Sequence, residues 1–281
     1  MDERVRLVDV GARGGIDSRW RPFYDKLEVM AFEPDPKECA SLNAKSFPYS
    51  IQFLPVALGA VDGEQATLRL CRQPGCSSLL QPNMELCGQF AYGAAMEVVG
   101  EHPIVLNRLD TVCKDFAADV MKVDTQGTEL DVLRGAGSLL DALIAVEIEV
   151  EFVPQYQRQA LFADVDAFMR QQGFMLRGMR RTCWRAQANQ VHPFGGQIIH
   201  GDVLYLRPER MNCSKGHIIL GAYRQFDLLA RFGATSLIPR ESAFVRVLSR
   251  LFQGVRNRDL RHFVDRLRPP HATDWHDPDF F

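Results

Sequence analysis

Residues Val5 to Gly15 constrain the fold of this chain more than any other stretch. Val5-Arg6-Leu7-Val8-Asp9-Val10 is a short apolar run that closes on an acid, and Gly11, Gly14 and Gly15 follow at once. Such a run reads as a buried strand that delivers the chain into a tight turn and a helix. That unit is what nucleotide-type cofactor sites are built from. Glycine lets backbone come close to a ligand, and a helix start presents unpaired N–H groups to it. A second apolar run, Leu27 to Phe32, also closes on an acid, Glu33. A carboxylate there would grip the ribose hydroxyls of the same ligand.

Two ligands compete for the turn. A dinucleotide fingerprint has glycines at the first, third and sixth positions, the second of them clearing space for a pyrophosphate. Arg13 holds that slot. The spacing is instead acidic-x-Gly-x-x-x-Gly, from Asp9, Gly11 and Gly15, which looks like the first motif of methyltransferases that use S-adenosylmethionine (SAM). That ligand has no phosphate, and its charged methionine end suits an acid ahead of the turn.

The rest of the chain supplies a doubly wound frame. Strand-like and helix-like patterns alternate over the first ~205 residues, which favours an α/β fold with a mostly parallel sheet. Strands are predicted at Val5–Val10, Val29–Phe32, Ile51–Ala57, Ala66–Cys71, Val120–Val123 and Leu143–Val150, with short ones at Leu106–Leu109, Phe174–Leu176 and Val203–Leu206. Helices are predicted over Ser18–Lys26, Lys37–Lys45, Thr111–Phe116, from Glu129 to about Gly135, and over Phe162–Gln172. Residues 72–103 read as irregular, and a connection of that length is expected to act as a lid over the acceptor, with Phe90 and Tyr92 either stacking on a sugar face or packing onto the domain. After Pro208 the character changes: Ile218–Leu220 is the one strand candidate, and helices are expected at Tyr223–Phe232 and Ser242–Leu267. The division expected is a catalytic domain, 1–208, and a helical C-terminal extension, 209–281.

Composition narrows the class. A chain of 281 residues that is 46% hydrophobic can bury a full core. A formal net charge of -2 argues against a nucleic-acid partner. The charged start, Met1-Asp2-Glu3-Arg4, does not fit a signal peptide, and no apolar run nears the ~20 residues of a membrane span. The seven cysteines contain no C-x-x-C pair, so neither a zinc site nor a disulfide framework is expected. A cytoplasmic location is the simplest expectation. Arginines interleaved with apolar residues across Ser242–Leu267 fit packing on the domain or on a second subunit, giving a homo-oligomer, better than contact with a membrane surface.

In a doubly wound sheet, ligands lie outside the carboxyl ends of the strands. Asp9, Glu33 and Asp124 end three of those strands. Lys122 and Asp124, two apart on one strand, point the same way, so each tunes the other. Glu147, Glu149 and Glu151 alternate along a strand that should be buried, and at least one of them should line the site. Asp9-Val10-Gly11-Ala12, Phe32-Glu33-Pro34, Leu109-Asp110 and Lys122-x-Asp124-x-x-Gly127-x-Glu129, continuing through Val132-Leu133-x-Gly135-Ala136, occur in this order. As an ordered set they resemble the FkbM family of SAM-dependent methyltransferases over about residues 5–205. The resemblance implies a class I methyltransferase (Rossmann-like) fold. It also implies methyl transfer to a hydroxyl, commonly of a sugar or secondary metabolite. By motif match, Asp9, Gly11, Ala12, Gly15, Glu33 and Pro34 would hold SAM, with Ala57 and Leu58 near its adenine. The segment Gly75 to Asn83 resembles family members associated with polysaccharide biosynthesis.

The chain departs from the family pattern at Arg13, and at Thr125-Gln126, where an apolar-acidic pair is usual. An alcohol is a poor acid, so a base or a cation must help it react. Asp124 is the first candidate for base or for ligand to a divalent ion such as Mg²⁺, Glu149 the next, and Lys122 would keep Asp124 ionised. His192 and His200 are further options. Two other readings stay open: a non-catalytic SAM-fold module that binds a partner, and an NAD-dependent sugar oxidoreductase.

Overall fold

The structure is a computed structural model that describes residues 4–187 and 196–239. Ten strands are formed: β1 (Val5–Val10), β2 (Leu27–Phe32), β3 (Ser50–Leu54), β4 (Ala57–Leu58), β5 (Gln65–Cys71), β6 (Val98–Asn107), β7 (Val120–Val123), β8 (Ala145–Glu151), β9 (Met175–Trp184) and β10 (Gln197–Leu206). Seven of them make one sheet in the order β3-β2-β1-β7-β8-β10-β9. The five from β3 to β8 run parallel, and β10 and β9 add antiparallel. The remaining three form a small sheet, β4-β6-β5, beside the main one. The helices are α1 (Pro36–Asn43), α2 (Met84–Cys87), α3 (Leu109–Val112), α4 (Glu129–Gly135), α5 (Leu139–Ala142), α6 (Phe162–Gln171), α7 (Ser214–Ala222) and α8 (Phe226–Arg231). This is the class I methyltransferase, Rossmann-like arrangement implied by the resemblance.

Strand alternation splits the core in two. Val8, Val10, Met121, Val123, Val146, Ile148, Val203 and Tyr205 face one layer, packed under α3 to α6. Val5, Leu7, Val120, Ala145, Leu204 and Leu206 face the other, packed under α1, α7 and α8 with Trp20. Helices thus cover both faces, as strands buried on both sides require. The chain order reverses between β1 and β7, and the carboxyl ends of those two strands flank the crevice where ligands bind in such sheets.

Several elements differ from the sequence expectation. Ser18–Lys26 is a pair of 3-10 turns kinked at Phe23, because Pro22 interrupts the helical ladder. The strand expected at Ile51–Ala57 stops at Leu54 before Pro55, and Ala57–Leu58 pairs with β6 instead. Residues 72–103 are less irregular than composition implies: they hold three short helical turns and the start of β6. They are also anchored. Arg69 and Ser78 pair through their backbones, and Asn83 N–H donates to Gln155 O at 2.7 Å. The final hairpin is longer than expected, ten residues in each strand. Ile218–Leu220 is helical and lies inside α7, and the next helix starts only at Phe226. Ser242–Leu267 and His192 lie outside the described residues.

Candidate active site

A cavity of about 460 Å³ opens at the carboxyl ends of β1 and β2. Gly11, Glu33, Pro34, Ala57 and Leu58 line it, as do Phe32, Val56, Leu68 and Leu70. Glu33 is nearly buried, and burial raises its pKa. Its Oε1 accepts the Asp35 N–H at 2.9 Å, and Arg13 Nη1 stands 3.7 Å from the same oxygen. Arg13 also reaches Asp35, at 3.4 Å, so the residue that departs from the family turn clasps the two acids at the cavity rim.

The turn itself is tighter than a helix entry. Gly11 N–H and Ala12 N–H both donate to Phe32 O at 3.0 Å, so neither is open to a ligand. Gly11 has a φ of +81°, and a Cβ there would lie 1.8 Å from the Asp124 carbonyl oxygen. Only glycine permits that approach. Ala12 packs into the core, and Gly15, with a φ of +98°, faces Phe47 rather than the cavity. Asp9 is buried under the floor and does not line the cavity. Its Oδ1 has no hydrogen-bond partner, and burial, opposed by Lys122, raises its pKa to about 6.

Asp9 belongs to a charged row across the sheet. In register, Asp9 lies beside Lys122, and Lys122 beside Glu147. Glu147 is held by two hydrogen bonds of 3.0 Å from Arg19 and one of 2.9 Å from the Tyr223 hydroxyl. One step nearer the carboxyl ends, Lys122 Nζ donates to Asp124 Oδ2 at 3.0 Å. Burial works against both charges, but their mutual attraction outweighs it: Asp124 sits below the usual carboxylate range and Lys122 above the usual amine range.

Gln126 takes the place of the usual acid in this loop and has a left-handed φ of 59°. Its Nε2 donates to Asp124 Oδ1 at 2.8 Å and to Glu149 Oε1 at 2.9 Å, so one amide ties two carboxylates. Ser78 Oγ donates to the Gln126 carbonyl at 2.7 Å, and the Tyr156 hydroxyl stands 3.1 Å from its Oε1. Glu129, on α4, accepts the N–H groups of Thr125 and Gly127 and fixes the loop from below. Burial and the nearby carboxylates raise Glu129 to about 7.

A second cavity, about 730 Å³, lies on the far side of that loop. Asp124 and Gln126, together with Gln73 and Gly75, line both cavities and so mark their junction. Glu149, Tyr92, Trp184 and His200 line the second one only. Tyr92 packs against Trp184 with ring centroids 5.0 Å apart, and Phe90 meets the same indole at 5.8 Å. The aromatic pair expected to stack on a ligand is thus joined by a third ring from β9, which the sequence reading did not select. Tyr156, Arg19 and Tyr223 were also missed, because the residues they hold lie far off in the chain, and Gln126 stood out only as a departure from the family pattern.

Among the described residues, no group of three or more His, Cys, Asp or Glu side chains is arranged to hold a metal ion. Asp124 and Glu149, the candidate ligands, are instead bound by Lys122, Gln126 and His200. The Mg²⁺ option therefore has no donor set here. No helix of the described residues is long and apolar enough to cross a membrane.

A model of the methyltransferase FkbM domain matches residues 9–176. No curated protein shows significant sequence similarity to the chain. Solved structures of similar fold include magnesium protoporphyrin IX methyltransferase from Synechocystis PCC 6803 with bound SAM (9% identity, 73% of this chain and 70% of that one, TM-score 0.38). Precorrin-6y C5,15-methyltransferase from Geobacter metallireducens GS-15 is another (8%, 73% and 82%, 0.39). The 1,6-didemethyltoxoflavin-N1-methyltransferase of Burkholderia thailandensis, with its substrate and S-adenosylhomocysteine, is a third (12%, 73% and 71%, 0.33).

Proposed function

The chain belongs to the FkbM methyltransferase family, and from that premise we propose that it moves a methyl group from SAM to a hydroxyl of a sugar, a glycan intermediate or a secondary metabolite. One observation carries the reading: two cavities meet at Asp124 and Gln126. Methyl transfer needs two compartments that share a wall where the donor carbon and acceptor oxygen can be aligned.

The first cavity fits the donor. Glu33 Oε2 accepts no hydrogen bond from the described residues and can take the ribose hydroxyls. Phe32, Val56, Leu58, Leu68 and Leu70 offer an apolar slot for adenine. The unpartnered Asp9 Oδ1 leaves a buried negative group near where an ammonium would lie. SAM would supply an activated methyl, so the protein has only to place the acceptor and remove its proton. Asp124, kept ionised by Lys122, accepts a hydrogen bond from the acceptor hydroxyl and points it toward the first cavity. Trp184 and Tyr92 offer flat apolar faces of the kind that pack on pyranose rings, and the carboxylates and histidine suit hydroxyls.

Isothermal calorimetry tests the donor assignment. Glu33→Ala should weaken SAM binding by about 1.5–3 kcal/mol, the scale of charge-assisted hydrogen bonds lost to the ribose. Unchanged affinity would move SAM elsewhere. In a radiolabelled transfer assay, Asp124→Asn should keep SAM affinity but lose transfer by roughly 10²–10³-fold, since a misaligned acceptor rarely reaches attack geometry. Wild-type turnover in that variant would remove Asp124 from the reaction.

A further inference from the structure

Three groups in the second cavity could take the acceptor proton, and their hydrogen bonds separate them. Asp124 has both oxygens engaged, Oδ2 by Lys122 and Oδ1 by Gln126. Glu149 has Oε1 engaged by Gln126, and its Oε2 faces His200 Nδ1 at an ion-pair distance of 3.5 Å. Each of these oxygens can still accept a hydroxyl hydrogen bond through its remaining lone pair, but the donor already on it makes it a poorer proton acceptor. Of the three groups, His200 alone keeps a ring nitrogen with no donor on it. With Nδ1 turned to Glu149, its Nε2 lies on the opposite side of the ring and makes no hydrogen bond to any described residue. The imidazole lines the same cavity as Asp124 and Trp184.

We propose that His200 is the general base of the transfer, held in its reactive tautomer by Glu149. The inference rests on the methyl-transfer reading above. It assigns the chemistry to a residue on β10, beyond the stretch matched by the family model, which ends at residue 176. A carboxylate that accepts the Nδ1–H leaves the Nε2 lone pair available and stabilises the imidazolium that forms. The step balances without a further reactant. The acceptor oxygen bonds to the methyl carbon as the carbon–sulfur bond breaks, the electron pair stays on sulfur, and the hydroxyl proton passes to Nε2 and then to solvent. Gln126 acts as a positioning residue, since its single amide sets the distance between Asp124, which aims the hydroxyl, and Glu149, which aims the base.

The charges around His200 set the pH dependence. Burial lowers its basicity, but Glu149 on β8, Asp202 on β10 and Asp124 after β7 outweigh burial and hold its pKa above the ordinary value. The imidazole must be neutral to accept a proton, so the rate should climb as pH rises through that raised pKa.

Two measurements on the whole chain test this. In the first, the protein is labelled with nitrogen-15 at histidine, saturated with S-adenosylhomocysteine and titrated by NMR. The neutral form of His200 should carry its proton on Nδ1, and Glu149→Gln should lower its pKa. A neutral form protonated on Nε2 would overturn the proposal, with no acceptor needed. In the second, wild type, His200→Gln and Glu149→Gln are assayed with labelled SAM and a panel of methyl glycosides. His200→Gln should bind SAM as wild type does, lose transfer by roughly 10²–10⁴-fold, and lose the acid limb of the pH profile. Glu149→Gln should move that limb to lower pH. Full transfer by His200→Gln would overturn the base assignment while leaving the methyltransferase reading intact. A wild type that binds no SAM would remove both.

Discussion

The two faces of the main sheet use the same strands differently. On the face under α3 to α6, apolar side chains continue to the carboxyl ends, through Val10, Val123 and Val150. On the opposite face the apolar rows stop halfway. Beyond Leu7, Val120 and Ala145 stand Asp9, Lys122 and Glu147, and beyond these Asp124, Glu149 and Asp202. The central parallel strands β1, β7 and β8 therefore keep one side apolar up to the carboxyl end, and turn the other from apolar to charged. Burying charge in this way is costly unless it is paired, and the charged half of the sheet carries its own ion pairs, Arg19 with Glu147 and Lys122 with Asp124.

The largest test of this contrast is to break a pair in the charged half. Arg19→Met keeps bulk but leaves Glu147 buried without its cation, which should cost about 3–5 kcal/mol of unfolding free energy at pH 7. Burial already raises the Glu147 pKa. The penalty should shrink as pH falls and the orphaned carboxyl takes a proton, because the charged form is the one burial disfavours. Urea unfolding at pH 7 and pH 5 reads the difference, and an equal loss at both values would make the Arg19 contact one of packing alone.

A cut of similar depth on the dry face should behave otherwise. Leu133, on α4, is completely buried. Leu133→Ala should cost about 3 kcal/mol through the cavity it leaves. No charge is exposed or paired by the change, so the loss should be the same at both pH values. A pH-dependent loss would mean that the two faces are electrostatically coupled through the sheet.

The smallest effect concerns Asp9, whose Oδ1 is buried without a hydrogen-bonding partner among the described residues. Its folded pKa is raised to about 6 from 3.8. The native state therefore holds a proton that the unfolded state releases, and this contribution to stability is present below about pH 4 and lost as pH rises through 6. Asp9→Asn should stabilise the ligand-free protein by about 1–3 kcal/mol at pH 8 and weaken SAM binding. If it destabilises at pH 8, Asp9 is paired in solution and belongs with Glu147 as a structural charge.

The charged half was legible in the sequence where partners share a strand, and illegible where they do not. Lys122 and Asp124 are two residues apart, and the alternating Glu147, Glu149 and Glu151 announce themselves by period. Glu147 and Arg19 are 128 positions apart, and no local pattern links them. Tyr223 lies at the end of a helix whose three-residue apolar run, Ile218–Leu220, looks like a strand until its neighbours are known. The parallel core strands were placed well because their buried positions are rich in Val, Ile, Leu and Ala. The hairpin was cut short because β9 is an edge strand with Arg177, Arg180 and Arg181 on partly exposed faces, which breaks apolar alternation. For the same reason His200 stood only among the further options: nothing near it in the chain shows that its strand lies against Glu149 and Glu151.

Gly11 shows how little slack this edge contains. Its backbone rests against the carbonyl of Asp124, its N–H is spent on the end of β2, and Asp124 N–H is spent on the end of β1 at 3.0 Å. Three strand ends are geared together across a single residue, and the clearance between them is smaller than one methyl group. On the methyl-transfer reading, pressure on the turn from an arriving donor would pass to Asp124, at the boundary with the other compartment. The part of the molecule proposed to meet the donor and the part proposed to aim the acceptor are, mechanically, one piece.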